Sequence, residues 1–578
     1  MTDSPIPGRM LRWHLYGEGL DNLRVEEVDV PTFGPDELLV RQDACGLCFS
    51  DTKVIALGPN HPRMLGRNLQ SDPVTLGHEV SCTVVGVGED LQSRFHVGDR
   101  FIVQADVFYK GASIAYGYAI RGGLAEYSVI PKSMIEGDEG CYLLPIRPDG
   151  GYVETALVEP WACVVAAYVI QRRAGIKPGG NLLMLFGQAN EIADLTGVID
   201  AANPPAGMVA VGDFGPLLPM ADRFAKRGII LVDRVGDWEA LKEEHTGGAG
   251  FDDVLVGGSV SAETVEQAAS TLADHGIMNL AATRTFPRKV SLDIGRIHYN
   301  WHHVVGTATD RVDDAYREDR TAELVAGGIT WFIGAGGPMG QMHVQRAVQL
   351  PNPPRRIVAT DIDAERLASV AERFGASAQE RGVELVTLNP KALTPERFDS
   401  ELRRLSDDRG FDDIVSLVPV ASLIEHAAGF LADGGWFNIF AGVARGTMAN
   451  LDVNDIIHRG VRFIGSSGSS IADMRQTLEK VESGELSTNM SLAAIGGMKA
   501  ARDGIAAVKE GRFPGKTLIF PQIPDMPLIP LPELKIHYPT VFEKLQDGQF
   551  WTKEAEEELL KVAAETEHEV HEEPLRKP

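Results

Sequence analysis

Short apolar runs separated by amphipathic stretches fill the middle of the chain, and one such pattern occurs twice. Gly250–Ser259 reads GFDDVLVGGS, and Gly410–Pro419 reads GFDDIVSLVP. In both segments a Gly-Phe-Asp-Asp turn leads into an apolar run, which is typical of a turn followed by a buried strand. The repetition indicates that one stretch of the chain has been duplicated.

The order of predicted elements around the two turns is also the same. After Phe251 come a strand, a helix-like stretch, a glycine turn into another strand, and an apolar segment ending at Gly306; the same order runs from Phe411 to Gly465. The phenylalanines are 160 positions apart (411 minus 251), and the glycines are 159 apart (465 minus 306). Strands alternating with helices predict a parallel, doubly wound sheet. We therefore expect two Rossmann units in tandem.

The second unit contains a glycine-rich turn suited to a dinucleotide. A strand at Ile329–Ile333 precedes this turn, and a helix is expected to begin near Gly340. A pyrophosphate needs backbone N–H groups at a helix N-terminus, with no Cβ in the way. The predicted cofactor-binding residues of the turn are Gly334, Gly336, Gly337, Pro338, Met339 and Gly340.

An acidic residue follows at the spacing that a dinucleotide site requires. The next predicted strand ends at Asp361, 21 residues after Gly340. An acidic side chain there accepts hydrogen bonds from the adenosine ribose and repels a 2′-phosphate. Asp361 is therefore also a predicted cofactor-binding residue, and the sequence favours NAD over NADP.

The matching turn of the first unit lacks these features. Gly187 is its one glycine, and Glu191 and Asp194 stand where a pyrophosphate requires positive potential. The next strand is expected to end near Asp213, where FGPLLP places prolines in the position of a helix. We expect the first unit to be a degenerate sheet without a nucleotide site.

The first 165 residues show short alternating strands with frequent Gly and Pro, which predict a small β-barrel-like domain. A catalytic zinc takes about three protein ligands and keeps one position open. Spacing does not establish that the candidates converge, and a buried thiol with surface carboxylates is the alternative. Cys45 and Cys48 could also form a redox pair or half of a zinc knuckle. The candidate ligands are Cys48, His78, Glu79 and Glu159.

Composition narrows the classes of partner. The 578 residues carry a formal net charge of −26, which argues against nucleic acid and anionic membrane as partners. We find no signal peptide and no apolar run long enough to span a bilayer. The five cysteines are an odd set without a disulfide-scaffold pattern, which favours a reducing cytoplasm.

Four segments resemble the catalytic, GroES-like domain of zinc-dependent medium-chain alcohol and polyol dehydrogenases: GPDELLVRQDACGLCFSDTKV, LGHEVSCTVVGVGEDLQSRFHVGDRF, GGLAEYSVIP and LVEPWACVVAAY. The resemblance implies one catalytic zinc, with Cys48 and His78 as ligands and the carboxylates of Glu79 and Glu159 completing the site. It also implies that the Ser50 hydroxyl bonds the substrate oxygen. Asp51 would orient the zinc histidine, because such a ligand needs an acceptor on its other nitrogen.

A closer resemblance, to the L-sorbose-1-phosphate reductase branch, rests on AYGYAIRGG, AGIKPGGN, GPMG, GFDD, RIHYNWHHVVGT and FWTKEAEEELL. It covers nearly the whole chain, but members of that branch have one Rossmann unit. Their VHYN-type segment is matched here by His298–Asn300 in the first unit, and their glycine turn is matched in the second. Other departures are the absent structural zinc lobe, Cys82 in place of glycine, and Phe49 in place of a pyrophosphate-binding basic residue.

Together these observations predict an enzyme that moves a hydride between NAD(H) and a polyol, ketose or sugar phosphate. A redox-neutral epimerase with retained NAD and a non-catalytic scaffold are the alternatives. We expect a monomer whose two units form an internal pseudo-dimer, or a homo-oligomer. Candidate substrate contacts are Glu79, Tyr116 and Tyr118, and candidate phosphate contacts are Lys53, Arg63, Arg67 and Arg121.

The predicted organisation has five parts. They are a catalytic domain (1–165), a degenerate Rossmann unit (166–326), an NAD-binding Rossmann unit (327–485), a segment returning to the catalytic domain (486–525), and a C-terminal linker, helix and tail (526–578).

Overall fold

The structure is a computed structural model that describes residues 6–64, 66–187, 202–212, 229–281, 285–309, 311–318 and 320–572, with side chains up to residue 565. Contacts divide the chain into two compact units. We call Met1–Ala166, Gly337–Met342 and Gly468–Pro578 the barrel unit, and Ala167–Gly336 with His343–Ser467 the sheet unit.

The barrel unit is built on an eight-stranded, mostly antiparallel sheet, as the short strands of the sequence predict. Its N-terminal strands are β1 Arg9–Leu15, β2 Leu23–Asp29, β3 Leu38–Leu47, β4 Glu79–Val87, β5 Arg100–Val103, β6 Phe108–Tyr109, β7 Ala112–Ser113, β8 Tyr127–Ile130 and β9 Leu143–Pro145. Its N-terminal helices are Phe49–Leu57, Lys132–Ile135, Tyr152–Ala156 and Val158–Ala166.

The sheet unit contains both predicted copies. The first copy has β10 Asn181–Phe186, β11 Gly207–Gly212, β12 Ile230–Val232, β13 Phe251–Gly257, β14 Leu272–Ala281, β15 Val290–Asp293 and β16 His303–Gly306, with helices Trp238–Thr246, Ala262–Ser270 and Ile294–Tyr299. The second has β17 Ile329–Ile333, β18 Arg356–Thr360, β19 Glu384–Leu388, β20 Phe411–Ser416, β21 Leu431–Ile439, β22 Met448–Leu451 and β23 Arg462–Ile464. Its helices are Pro338–Gln349, whose residues up to Met342 are grouped with the barrel unit, Ala364–Glu380, Pro395–Leu405, Ala421–Ala428 and Val453–Arg459.

The two copies form separate six-stranded parallel sheets with the same strand order. The orders are β12-β11-β10-β13-β14-β16 and β19-β18-β17-β20-β21-β23. Both match the doubly wound order 3-2-1-4-5-6. The predicted tandem Rossmann fold is thus confirmed. The first-copy positions on which loss of the nucleotide site was predicted, 188–194 and 213–219, lie outside the described residues.

The remaining strands return to the barrel unit. They are β24 Leu492–Gly497, β25 Lys516–Phe520 and β26 Ile529–Pro530. The helices of this part are Ile471–Glu482, Ala501–Glu510, Leu534–His537, Pro539–Phe542 and Lys553–Glu572. The chain rejoins the barrel unit at Gly468 and not at residue 486. Helix Ile471–Glu482 already packs against helix Val158–Ala166 of that unit.

The first Asp of each Gly-Phe-Asp-Asp motif holds the start of a central strand. Asp252 Oδ2 accepts a hydrogen bond from Asn181 N at 2.8 Å, and Asp412 Oδ2 accepts one from Ile329 N at 2.7 Å. These amides open β10 and β17, the strands at the centre of the two sheets. Both copies therefore fix their central strand by the same side chain-to-backbone bond.

The second Asp of each motif forms a buried ion pair. Asp253 bonds Arg173 at 2.8 Å, while Asp413 bonds Arg320 and accepts a hydrogen bond from Val325 N at 2.9 Å. Burial raises the pKa of Asp413 to about 6, although the Arg320 charge opposes this shift. The repeated motif is thus explained by the same anchoring network in both copies.

Equivalent strands of the two copies pair with each other. Residues of β15 and β22 form an antiparallel two-stranded sheet, with Val290 opposite Leu451 and Asp293 opposite Met448. Because each copy contributes the same element in opposite directions, the pairing follows a two-fold relation. The edge strands β16 and β23 also lie close together.

We predict that Asp413→Ala lowers the free energy of unfolding by about 3 kcal/mol, because Arg320 loses its carboxylate partner in a largely buried position. Asp433→Ala is the control, since Asp433 pairs with Arg459 at an exposed site and such pairs contribute about 1 kcal/mol or less. Urea unfolding at neutral pH measures both. Equal effects of the two substitutions would contradict the anchoring role.

Candidate active site and cofactor site

Three of the predicted metal ligands lie together in the barrel unit. One ligand atom each from Cys48, His78 and Glu79 falls within 4.8 Å of the others. A thiolate, an imidazole and a carboxylate are the donor types of a catalytic zinc site. Glu79 Oε2 is buried and has no hydrogen-bond partner among the described residues, as expected for an atom that a metal would satisfy. The residues present therefore fit a zinc ion.

Local structure explains how these side chains converge. Cys48 follows the end of β3, and Glu79 begins the neighbouring β4, with Gly46 directly opposite Glu79. A Cβ on Gly46 would lie 2.2 Å from Glu79 Oε2, so a larger residue there would displace the Glu79 carboxylate. Asp51 Oδ2 accepts a hydrogen bond from Cys48 N at 2.9 Å and thereby fixes the turn into the helix.

The histidine is oriented by its neighbours. His78 Nδ1 lies 3.4 Å from Asp51 Oδ1, and His78 Nε2 lies 3.4 Å from Ser50 Oγ. Both Asp51 and His78 are buried. A carboxylate on one ring nitrogen leaves the other available to a metal. This geometry agrees with the predicted orienting role of Asp51 and brings Ser50 to the site.

Glu159 lies near this cluster but outside its tightest set. It is on helix Val158–Ala166, and its carboxylate does not join the group of three within the described part of the chain. Burial raises the pKa of Glu159 to about 7; the charge of His78 opposes that shift and the charge of Glu79 adds to it. Its role as a zinc ligand stays a prediction.

Lys516 is a buried residue beside the metal cluster that the sequence reasoning missed. Its Nζ donates to Glu79 Oε1 at 2.6 Å and to Leu47 O at 3.0 Å, deep in the barrel unit. Burial alone would lower the pKa of Lys516, but the charges of Glu79 and Cys48 raise it. The signal was present, because a lysine opens the fully buried strand β25, whose last three residues are apolar.

The two candidate tyrosines have different surroundings. Tyr118 packs against His78, with 5.7 Å between ring centroids, and therefore borders the metal cluster. Tyr116 is fully buried, and its hydroxyl accepts a hydrogen bond from Gln42 at 2.8 Å. Tyr116 is thus a core residue, and only Tyr118 of the pair is near the cluster.

Among the candidate phosphate contacts, the structure separates two pairs. Arg67 and Arg121 both face Asp72, at 2.8 Å and 3.6 Å. The Arg63 guanidinium instead lies 5.2 Å from the centroid of the Tyr118 ring and also bonds Asp106.

Lys53 belongs with Arg63, and His61 joins them. Arg63 N donates to His61 Nδ1 at 3.3 Å. Burial lowers the pKa of His61, and the charges of Arg63 and Lys53 lower it further. The His61 ring lies 5.6 Å from that of Tyr118. Sequence reasoning missed His61, since a single histidine in a loop carries no pattern.

The glycine turn follows β17 as predicted, and its helix begins at Pro338 instead of Gly340. Gly334 has φ +80°. A Cβ on Gly336 would lie 2.9 Å from Asp361 Oδ2, whereas one on Gly337 would meet nothing within 4 Å. Asp361 Oδ2 accepts a hydrogen bond from Gly336 N at 3.0 Å. The turn thus presents open backbone next to an acidic side chain, which fits a dinucleotide.

Comparison with known proteins identifies the family of this chain. The model of the alcohol dehydrogenase GroES-like domain matches residues 34–137, and that of the zinc-binding dehydrogenase domain matches residues 338–483. The uncharacterized protein YggP of Escherichia coli (strain K12) is 34% identical over 347 residues, covering 55% of this chain and 79% of that protein. The chain belongs to the zinc-dependent medium-chain dehydrogenase family.

Two named relatives also match. Mannitol-1-phosphate 5-dehydrogenase of Aliivibrio fischeri is 25% identical over 524 residues, covering 88% of this chain and 86% of that protein. L-sorbose 1-phosphate reductase of Klebsiella pneumoniae is 28% identical over 399 residues, covering 63% and 94%. This medium-chain dehydrogenase is therefore an oxidoreductase that uses zinc and NAD(P). Within the described residues, no helix is both long and apolar enough to cross a membrane.

We predict that the purified dehydrogenase contains about one zinc per chain, because the described ligands suffice for one catalytic site. Cys48→Ala should lose most of the zinc and all turnover while NADH affinity stays nearly unchanged. Cys141→Ala, at a partly buried thiol elsewhere in the barrel unit, should keep its zinc. Metal analysis that finds two tightly bound zinc ions per chain, or none after growth with zinc, would contradict this prediction.

Proposed function

We propose that this enzyme interconverts a polyol and a ketose by hydride transfer with NAD(H), and that its substrates carry a phosphate. The cluster of Cys48, His78 and Glu79 carries the proposal, because it is suited to bind the oxygen of an alcohol or ketone through zinc. The named relatives act on mannitol 1-phosphate and L-sorbose 1-phosphate. A screen of polyols, ketoses and their phosphates for net NADH formation or consumption tests it.

The side chains have distinct roles in this proposal. When bound, zinc polarises the substrate oxygen and lowers the pKa of the alcohol, and the nicotinamide exchanges the hydride with carbon. Ser50 receives the hydroxyl proton and relays it, since its Oγ lies beside His78. Asp51 orients His78, and Glu79 and Glu159 complete the ligand set with Cys48. Tyr118 forms a wall of the substrate site.

The alternatives predict different behaviour with substrate. A redox-neutral epimerase would reduce its retained NAD in a burst without net turnover. A scaffold would show no chemistry, and the assembled metal ligands argue against it. Similarity to named dehydrogenases favours the oxidoreductase over both.

The proposed organisation assigns a separate role to each domain. Residues 1–165 with 468–525 form the catalytic domain, 327–467 bind NAD, and 166–326 form a sheet without a nucleotide. The pairing of β15 with β22 supports a monomer in which the first copy replaces a partner subunit. The free cysteines support a reducing cytoplasmic location.

NAD is proposed over NADP because the Asp361 carboxylate stands beside the glycine turn. We predict that Asp361→Ser lowers the ratio of kcat/KM with NAD to kcat/KM with NADP by about tenfold. The substitution removes both a contact to the ribose of NAD and a charge that repels the 2′-phosphate of NADP. Asp361→Asn is the companion variant, because it keeps an acceptor for Gly336 N and removes only the charge. Steady-state kinetics with both cofactors measure the ratio. A wild type that uses NADP equally well would refute the assignment.

Substrate phosphate is proposed to bind the basic group formed by Lys53, His61 and Arg63. We predict that Arg63→Ala raises KM for a phosphorylated substrate by roughly tenfold to a hundredfold, because charge-assisted hydrogen bonds to phosphate contribute about 1.5–3 kcal/mol. KM for the unphosphorylated analogue should change little. Arg121→Ala, at a nearby arginine that faces Asp72, is the control. Equal losses on both substrates would refute the phosphate role.

A further inference from the structure

The helix Ile294–Tyr299 of the first copy lies against a loop of the second copy. This loop, residues 440–447, follows β21 and is called here the β21 loop. Ile294 N donates to Thr447 O at 3.0 Å, and Gly446 N donates to Asp293 Oδ2 at 2.8 Å. A Cβ on Gly295 would lie 2.2 Å from Ala444 O, so the two backbones are in direct contact. The N-terminal end of this helix therefore holds the C-terminal half of the loop.

The other end of the helix makes contacts of the same kind. Arg445 Nε donates to Asn300 Oδ1 at 2.8 Å, and its guanidinium lies 5.1 Å from the Tyr299 ring centroid. His298 Nδ1 lies 3.0 Å from Ile439 O, the last residue of β21. His298 is buried, and a Cβ on Gly465 would lie 2.9 Å from its Cα. The first copy thus reaches the carboxyl ends of both β21 and β23.

Those strand ends belong to a defined half of the cofactor site. Ligands of a doubly wound sheet bind outside the carboxyl ends of the strands, across the point where the strand order reverses. The glycine turn after β17 and Asp361 after β18 mark the adenosine half. The nicotinamide half therefore lies over β20, β21 and β23, and the β21 loop borders it.

We propose that the first Rossmann copy positions the nicotinamide half of the cofactor bound to the second copy, by clamping the β21 loop. Asp293, Gly295, His298 and Asn300 act as positioning residues through that loop and do not touch the reacting atoms. The proposal rests on NAD(P) use by the second copy. The first copy, which has no predicted nucleotide site, thus contributes to binding of the cofactor that the second copy holds.

The contact is reciprocal, which supports a specific interface between the copies. Asn454, on the equivalent helix of the second copy, accepts a hydrogen bond from Phe286 N at 2.8 Å and donates to Phe286 O at 3.1 Å. Phe286 lies in the loop region after β14, the counterpart of the β21 loop. Each copy therefore holds a loop of the other by the same helix.

The test compares Gly295→Ala with Gly236→Ala. The first adds a Cβ against the loop backbone, and the second adds one where nothing lies within 4 Å, also in the first copy. Affinities for NADH and for ADP-ribose, which lacks nicotinamide, are measured by calorimetry. Hydrogen exchange of residues 440–447 is measured in the free proteins. If Gly295→Ala fails to fold, Asn300→Ala replaces it, because it removes the acceptor of Arg445.

We expect Gly295→Ala to raise Kd for NADH by about tenfold, with Kd for ADP-ribose within about twofold of wild type. Exchange in the loop should become several-fold faster, and Gly236→Ala should match wild type. Equal weakening of NADH and ADP-ribose, or unchanged loop exchange and unchanged NADH affinity, would overturn the proposal. A wild type that binds neither ligand would instead refute NAD(P) use, while the exchange measurement would still test the clamp.

Discussion

A parallel sheet leaves an edge strand whose backbone groups must be covered, and this constraint governs how the two copies are arranged. The edges β16 and β23 lie close together, and β15 pairs with β22 across the same interface. Val290, Leu292, Ala449 and Leu451 of the paired strands are buried, so the interface is part of the core of the sheet unit. A duplicated copy can cover this edge whether or not it binds a nucleotide.

The two copies share one sequence motif and differ in another. The Gly-Phe-Asp-Asp motif occurs in both because its carboxylates hold the central strand and anchor a buried arginine. A phosphate-binding turn is needed only where a cofactor binds, and the glycines of that turn occur in the second copy. The motif thus has the same structural role in each sheet, whereas the glycine-rich turn is present in one of them.

Local patterns were enough to predict much of the fold and part of the site. Two parallel, doubly wound sheets followed from the repeated alternation of elements, and Cys48, His78 and Glu79 were proposed as ligands because of the family resemblance. Lys516 and His61 were missed because their partners are remote in sequence or lack a pattern. The return to the barrel unit was placed too late, because the amphipathic pattern of helix Ile471–Glu482 does not reveal which unit its apolar face contacts.

Charge at the metal cluster explains why Lys516 is buried beside it. The charges of Glu79, Cys48 and Glu159 all act on the buried ammonium of Lys516 and raise its pKa. Burying carboxyl groups without a counter-charge is costly, as the raised pKa of Glu159 shows, and a divalent cation held by Cys48, His78 and Glu79 would lower that cost. Lys516 bonds Oε1 of Glu79, and Oε2 is the carboxylate oxygen without a hydrogen-bond partner among the described residues. The lysine thereby places a buried positive charge beside the cluster, and a strand of the returning segment, β25, delivers it there.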